Sequence, residues 1–278
     1  MMPSITATIK PYPQPDIIQV ELPILMCHGY AGGVSALISH APLHEPCMLF
    51  RSRGAKAFAP NIVPYASIET RAEEWMTRIH ALQQQYGFEK FHVIAHSMGG
   101  LDMRYAIAKM DAASSVASLT TIASPHQGTT MAELVLKTPG PLRGPMKQFF
   151  DWMGAQMYAE AKSDSLAAVE QLTREYVQEE FNPTIIDHPD VAYYSYSAAT
   201  GKGTDEPLNP IYSIQNGLIY DQEGPNDGFV SVDSAKWGHH HGTMPIGHIE
   251  QTMIQVAGGR KKLVDKVWVD VLTAISQY

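Results

Sequence analysis

Residues 90–124 read KFHVIAHSMGGLDMRYAIAKMDAASSVASLTTIAS. An apolar run, a polar turn with two glycines, an amphipathic stretch and a second apolar run follow one another without a long break. That pattern predicts strand, helix, strand. A similar unit precedes it: AKAFAPNIV (55–63) reads as a strand and ETRAEEWMTRIHALQQQYG (69–87) as a helix. In this helix Ala72, Trp75, Met76, Ile79, Leu82 and Tyr86 share one face, Thr70 and Glu73 can form a capping box, and Gly87 stops it. Two consecutive β-α-β units imply a parallel sheet with right-handed crossovers. The strands are continuously apolar, as they are in sheets covered on both faces. The chain is therefore expected to be α/β, with a doubly wound, mostly parallel sheet.

The remaining segments fit around this frame. IIQVELPILMCHG (17–29) contains an earlier strand ending at a Gly-rich turn, VAYYSYSA (191–198) resumes the sheet, and RKKLVDKVWVDVLTAISQY closes the chain as a helix. Residues 129–190 break the alternation with two or three amphipathic helices in series. Met146, Phe149, Phe150, Met153 and Met157 form a wide apolar stripe there. The stripe either faces the core or belongs to a helical lid that meets substrate or a lipid interface on opening. The organisation expected is one domain, 1–278, with a lid or cap insertion at 129–190.

Of the 278 residues 45% are hydrophobic, enough for a large core, and the net charge is −8. An acidic chain argues against nucleic-acid partners and against strong attraction to anionic lipid. No window holds the 18 apolar residues of a membrane span, and the first residues show no basic segment followed by an apolar one. The reading is a cytoplasmic protein, with a secreted mature form lacking its signal as the alternative. Cys27 and Cys47 are the two cysteines; Cys27 sits in an apolar run, and the sequence leaves a bridge between them open.

The polar turn carries the chemistry. A serine hydroxyl is a poor nucleophile and needs exposure, a base and a site for the developing oxyanion. A sharp strand-to-helix turn of the form small-x-Ser-x-Gly supplies the exposure, and here it reads Ala95-His96-Ser97-Met98-Gly99. Ser97 is the predicted nucleophile. His-Gly in CHGYAGG (27–33), at the end of the earlier strand, can aim a backbone N–H at the same point. Tyr30 and Met98 are the expected oxyanion donors through their backbones. On such a scaffold the triad runs Ser, acid, His. His28, His92, His96 and His126 precede any later acid, while His239, His240 and His241 form a tract that reads as a solvated turn or, less simply, a metal site. His248, in a loop after TMPIG and before an apolar, helix-like run, is the predicted base. Among Asp205, Asp221, Asp227 and Asp233, the choice is Asp227, in the turn GPNDGFVSV that leads into a short apolar strand.

With these pieces placed, the chain resembles the α/β-hydrolase lipases, specifically the bacterial triacylglycerol lipase family. The matching blocks are PILMCHGYAGG, FHVIAHSMGGLDMRYAI, LTTIASPHQGT and NDGFVSVDSAKWG…GHIEQ, which span most of residues 23–251. The resemblance implies a serine hydrolase of carboxylic esters, acylglycerol-type lipids above all. Its roles fall on Ser97, Asp227 and His248, with Tyr30 and Met98 at the oxyanion hole and a lid over 129–190. No redox or nucleotide cofactor is implied. Many members hold a structural calcium partly through an Asp two residues after the catalytic His; here that position is Glu250, and Asp205 is a candidate second ligand. The chain departs from the family at Ala95, where Gly is common, and at Met98, where Gln is common. It also has Asp233 where secreted members place a disulfide cysteine. Rival readings are a thioesterase, phospholipase or acyltransferase on the same fold, a hydrolase-fold binding protein without activity, and a thiol enzyme using Cys27.

Overall fold

The computed structural model describes residues 15–29, 42–64, 66–137, 164–252, 256 and 258–278. Its strands are β1 (Ile24–Cys27), β2 (Ala57–Phe58), β3 (Phe91–His96), β4 (Val116–Ile122), β5 (Ala192–Ala198) and β6 (His239–Met244). They form one six-stranded sheet in the order β2-β1-β3-β4-β5-β6, and each neighbouring pair is parallel. The chain leaves β1 outward to β2, then returns past β1 to β3 and continues through β4, β5 and β6 on that side. The reversal between β1 and β3 is where a doubly wound sheet opens a crevice at its strand ends.

Helices α1 (His44–Ser52), α2 (Ile68–Tyr86), α3 (Gly99–Lys109), α4 (Thr130–Lys137), α5 (Asp164–Glu170), α6 (Ser213–Glu223) and α7 (Gly258–Ile275) surround the sheet. Alternate residues of β1 choose opposite faces. Ile24 and Met26 pack with Phe50 of α1 and Trp268, Val271 and Leu272 of α7. Leu25 and Cys27 pack with Trp75 and Ile79 of α2 and Met103 and Ala106 of α3. Both faces are thus covered, which explains why β1 and β3 are buried along their whole lengths. Cys27 and Cys47 are buried free thiols that join opposite cores, so no bridge links them.

Several local expectations shift. Helix α2 is capped by Ser67, whose side chain accepts the Thr70 N–H, so it begins one turn before Glu73 could close a capping box. Gly87 ends it as expected, with φ +73°. The histidine tract 239–241 is not a turn: it forms the start of β6, the edge strand, paired with Tyr194–Ala198 of β5. The short strand expected after Asp227 is only an isolated bridge between Asn226 and Ser231.

Residues 138–163, with the Met146, Phe149, Phe150, Met153 and Met157 stripe, lie outside the described residues. The described flanks of the insertion are packed. Met131, Ala132 and Val135 of α4 meet Val169 of α5 and Ile219 of α6, with Phe229 against them.

Candidate active site

The turn after β3 forces its central residue into an unusual conformation. Ser97 has φ +55°, a left-handed backbone that costs a non-glycine residue about 1–2 kcal/mol. The turn is held there by the Ser97 N–H donating to Ile122 O of β4 at 2.9 Å and by Gly100 N–H donating to Ser97 O at 3.0 Å. Beside it the loop after β1 comes very close. A Cβ on Gly29 would lie 2.7 Å from His96 O, 2.7 Å from Ser97 Cβ and 2.8 Å from Met98 N, so only glycine permits the approach. Gly99 likewise lets α3 start against Cys27 O.

Ser97 Oγ lies 3.0 Å from His248 Nε2, and His248 Nδ1 lies 2.7 Å from Asp227 Oδ2. The bond to a carboxylate assigns the proton to Nδ1, which leaves Nε2 to accept from the serine. Asp227 is buried, yet each of its oxygens is satisfied. Oδ1 accepts the Phe229 and Val230 N–H groups at 3.0 and 2.9 Å, and Oδ2 accepts Gln251 Nε2 at 2.9 Å besides the imidazole. Its turn is fixed by Asn226, whose Oδ1 accepts from Gly228 N and from Asn216 Nδ2. The His248 N–H donates to Asp227 O at 3.0 Å, so acid and base are joined through backbone as well as side chain. The Phe229 ring stacks on the imidazole with centroids 4.9 Å apart.

Three other buried histidines are unsuited to the base role by their environment. His96 is buried beside His248, ring centroids 4.7 Å apart; burial, then His248 itself, pushes its pKa well below the usual imidazole range. Burial takes His28 down to about 3, with Arg71 acting the same way, and also depresses His126 strongly. Cys27 is packed against both strands and helices, and burial drives its thiol well above the ordinary range, which removes the thiolate a Cys nucleophile needs.

The Met98 N–H stands at the N-terminus of α3, where no intrahelical acceptor exists, next to Ser97 and Gly29. That is the position an oxyanion donor needs. Tyr30, the other expected donor, lies outside the described residues, directly after Gly29. Beneath this loop Arg71 Nη2 donates to His28 O at 2.7 Å while its Nε meets Asp102 Oδ2 at 2.9 Å, a buried pair that ties the β1 loop to α3. Sequence reasoning did not single out Arg71, Gln251 or Phe229. For Gln251 a signal was present in the block GHIEQ, where it stands three residues after the base.

The arrangement can take a proton from Ser97, hold the resulting imidazolium against a carboxylate, and place an N–H where negative charge would develop on an acyl oxygen. The three histidines of β6 form no such constellation, and among the described residues no group of three or more His, Cys, Asp or Glu side chains is arranged to hold a metal ion.

Comparison with known proteins bears on the family and the fold. Residues 23–185, more than half of the chain, match the sequence profile of the palmitoyl protein thioesterase family. Triacylglycerol lipase 2 of Saccharomyces cerevisiae is 27% identical over 222 residues, covering 77% of this chain and 61% of that protein. Triacylglycerol lipase of Pseudomonas fragi is 31% identical over 118 residues, covering 42% and 39% respectively. The chain therefore spans less than two thirds of these relatives' lengths. Among solved structures, the Bacillus licheniformis lipase BlEst2 superposes with TM-score 0.65 at 19% identity, covering 94% of this chain and 96% of that one. A metagenomic carboxyl esterase superposes with TM-score 0.72 at 14% identity, covering 97% and 80%. These likenesses establish the α/β-hydrolase fold.

Proposed function

The chain belongs to the palmitoyl protein thioesterase family, and from that footing we propose that it is a serine hydrolase that cleaves carboxylic esters, acylglycerol-type lipids foremost, through an acyl-enzyme. The observation that carries the reading is the unbroken line of hydrogen bonds from Ser97 to His248 to Asp227, at 3.0 and 2.7 Å. His248 Nε2 removes the Ser97 proton as the oxygen attacks the ester carbonyl. Asp227 keeps the imidazole in its reactive tautomer and stabilises the cation that forms. The carbonyl oxygen becomes an oxyanion facing the Met98 N–H, with Tyr30 proposed as its second donor. The alcohol leaves with the proton from His248, and water activated by the same ring releases the acid.

A thioesterase is the second reading, favoured by the family profile; its substrate differs only in the leaving sulfur, and the same residues serve. The names of the relatives support the ester reading. We also propose that residues 129–190 act as a lid that touches lipid transiently, and that the protein is cytoplasmic, a setting its two free thiols support. Among the described residues no helix is long and apolar enough to cross a membrane.

The test is a chain-length series of nitrophenyl esters and matched acyl thioesters on wild type and Ser97→Ala. Wild type is expected to hydrolyse at least one series, and Ser97→Ala to lose at least about a thousandfold in kcat. A fluorophosphonate should label wild type once, at Ser97. Ester turnover unchanged in Ser97→Ala overturns the proposal, and preference for thioesters selects the second reading.

A further inference from the structure

The loop that carries His248 is braced by a cation that is part of the chain. Glu250, two residues after the base, turns its carboxylate back so that Oε2 accepts the Gly247 N–H at 2.8 Å. Gly247 immediately precedes His248. Arg260, in the first turn of α7, clasps the same carboxylate, Nε to Oε1 at 2.9 Å and Nη2 to Oε2 at 2.5 Å. Its Nη2 also donates to Pro245 O at 3.2 Å, and its Nη1 to Glu206 Oε2 at 3.3 Å. Glu206 belongs to the β5–α6 loop, where its carbonyl accepts the Gly201 N–H at 2.8 Å. One guanidinium thus joins the β5–α6 loop, the segment leaving β6 and the loop of the catalytic base.

Two carboxylates and a backbone carbonyl are the oxygen donors a hard divalent cation would use. The family resemblance implies a calcium at this place, with Glu250 among its ligands, and the residues present do not fit one. Both Glu250 oxygens already accept from Arg260, and one of them also from the Gly247 N–H. The second carboxylate is Glu206, the residue after the candidate Asp205, and it too is turned to Arg260. The planar fork of Arg260 matches the Glu250 carboxylate with two parallel bonds, and its charge is fixed at any pH the fold survives.

We propose that Arg260 is a positioning residue that replaces a structural divalent cation, holding the His248 loop through Glu250 and Gly247 and making activity independent of calcium. The inference rests on the serine-hydrolase reading, because it is the base of that triad that Arg260 positions. Exposed ion pairs contribute little singly, but this one is bidentate, partly buried and shared among three partners. Its effect is geometric: a small displacement of the imidazole from Ser97 Oγ is costly to the proton transfer.

The experiment compares wild type, Arg260→Ala and Arg260→Lys on a soluble nitrophenyl ester, each with chelator and with added calcium chloride. Ester kcat and KM, the rate of fluorophosphonate labelling and the melting temperature are measured. Wild type is expected to be unchanged in all four by chelator or calcium. Arg260→Ala should lose about ten- to a hundredfold in kcat and in labelling rate with KM nearly unchanged. Arg260→Lys, which keeps the charge without the fork, should fall between. Calcium should raise kcat and melting temperature of Arg260→Ala, whose freed carboxylates then face one another. Should Arg260→Ala fail to fold, Glu250→Gln replaces it, with the same drop in kcat expected. Wild-type activity or melting temperature lost to chelator and restored by calcium overturns the inference, as does wild-type kcat in a folded Arg260→Ala. A wild type that neither turns over esters nor accepts the label defeats the hydrolase reading and the positioning role with it, while the effect of chelator on its melting temperature still decides whether Arg260 stands in place of a divalent cation.

Discussion

Besides the imidazole of His248, Gln251 is the side chain outside its own turn that holds Asp227, the proposed acid. It is buried, donates to Asp227 Oδ2 at 2.9 Å, and is itself held by Trp268, whose Nε1 donates to Gln251 O at 3.0 Å. A buried carboxylate that loses one charge-assisted donor is left under-satisfied, a cost of about 1–3 kcal/mol. Gln251→Leu should therefore lower the unfolding free energy by about that amount. It should also reduce kcat with little change in KM, because Oδ2 then keeps the imidazole as its one partner and is held less firmly against it. Thermal melting together with ester kinetics checks both; a Gln251→Leu protein with wild-type kcat and melting temperature would show that the imidazole and the Phe229 and Val230 N–H groups suffice to fix Asp227. Gln251→Glu sets a second carboxylate against the first and should be worse than the leucine.

At the scale of elements, the candidate site exists because two turns approach each other to backbone contact. The β1 loop and the β3–α3 elbow touch at Gly29, where a methyl group would collide with His96 O and Ser97 Cβ at 2.7 Å. Gly29→Ala must separate the turns by a good part of an ångström. A misplacement of that size should lower kcat by about a hundredfold. Kinetics and fluorophosphonate labelling on folded Gly29→Ala test this; unaltered rates would mean that the β1 loop does not furnish an oxyanion donor. These turns were legible in the sequence because their signals are local. A strand, a small-residue turn and a helix each leave a periodicity or a composition that can be read within a dozen residues. The edge strand β6 was not legible: His239 and His241 are exposed, so the tract HHHG carries none of the apolar run that marked the other strands. The cap of α2 was misplaced for a related reason, since Ser67 and Thr70 both offer hydroxyls and only the backbone path decides between them. The order serine, aspartate, histidine that the structure brings together was readable, while Arg260 was not. Its meaning comes from Glu250, 10 positions away, together with Glu206, 54 positions away, and no motif joins the three.

Taken whole, the molecule buries imidazoles as neutral groups, and this sets its response to acid. His28, His96 and His126 are almost fully buried, and burial depresses all three, His28 to about 3 from 6.5. The unfolded chain binds protons at these sites below pH 6.5 and the native state does not, so stability rises with pH across that window and is lost on acidification. Each such group contributes a slope of up to about 1.4 kcal/mol per pH unit. Asp102 opposes them: burial, against the pull of Arg71, raises it from 3.8 to about 6, which offsets one histidine between those values. The melting temperature should therefore fall steadily from pH 6.5 toward 4, and a flat profile measured by circular dichroism would contradict the neutral burial of these rings. The separation of 151 positions from Ser97 to His248 carries a different consequence, one for synthesis. A chain emerging from the ribosome can form the elbow early, but the base arrives after β6 and its Arg260 brace arrives later still, with α7. The nascent protein is thus expected to pass through most of its elongation with a shaped but unarmed nucleophile. Catalytic competence then reports on the completion of the C-terminal helix, and a truncation before it should yield material that folds in part and hydrolyses nothing.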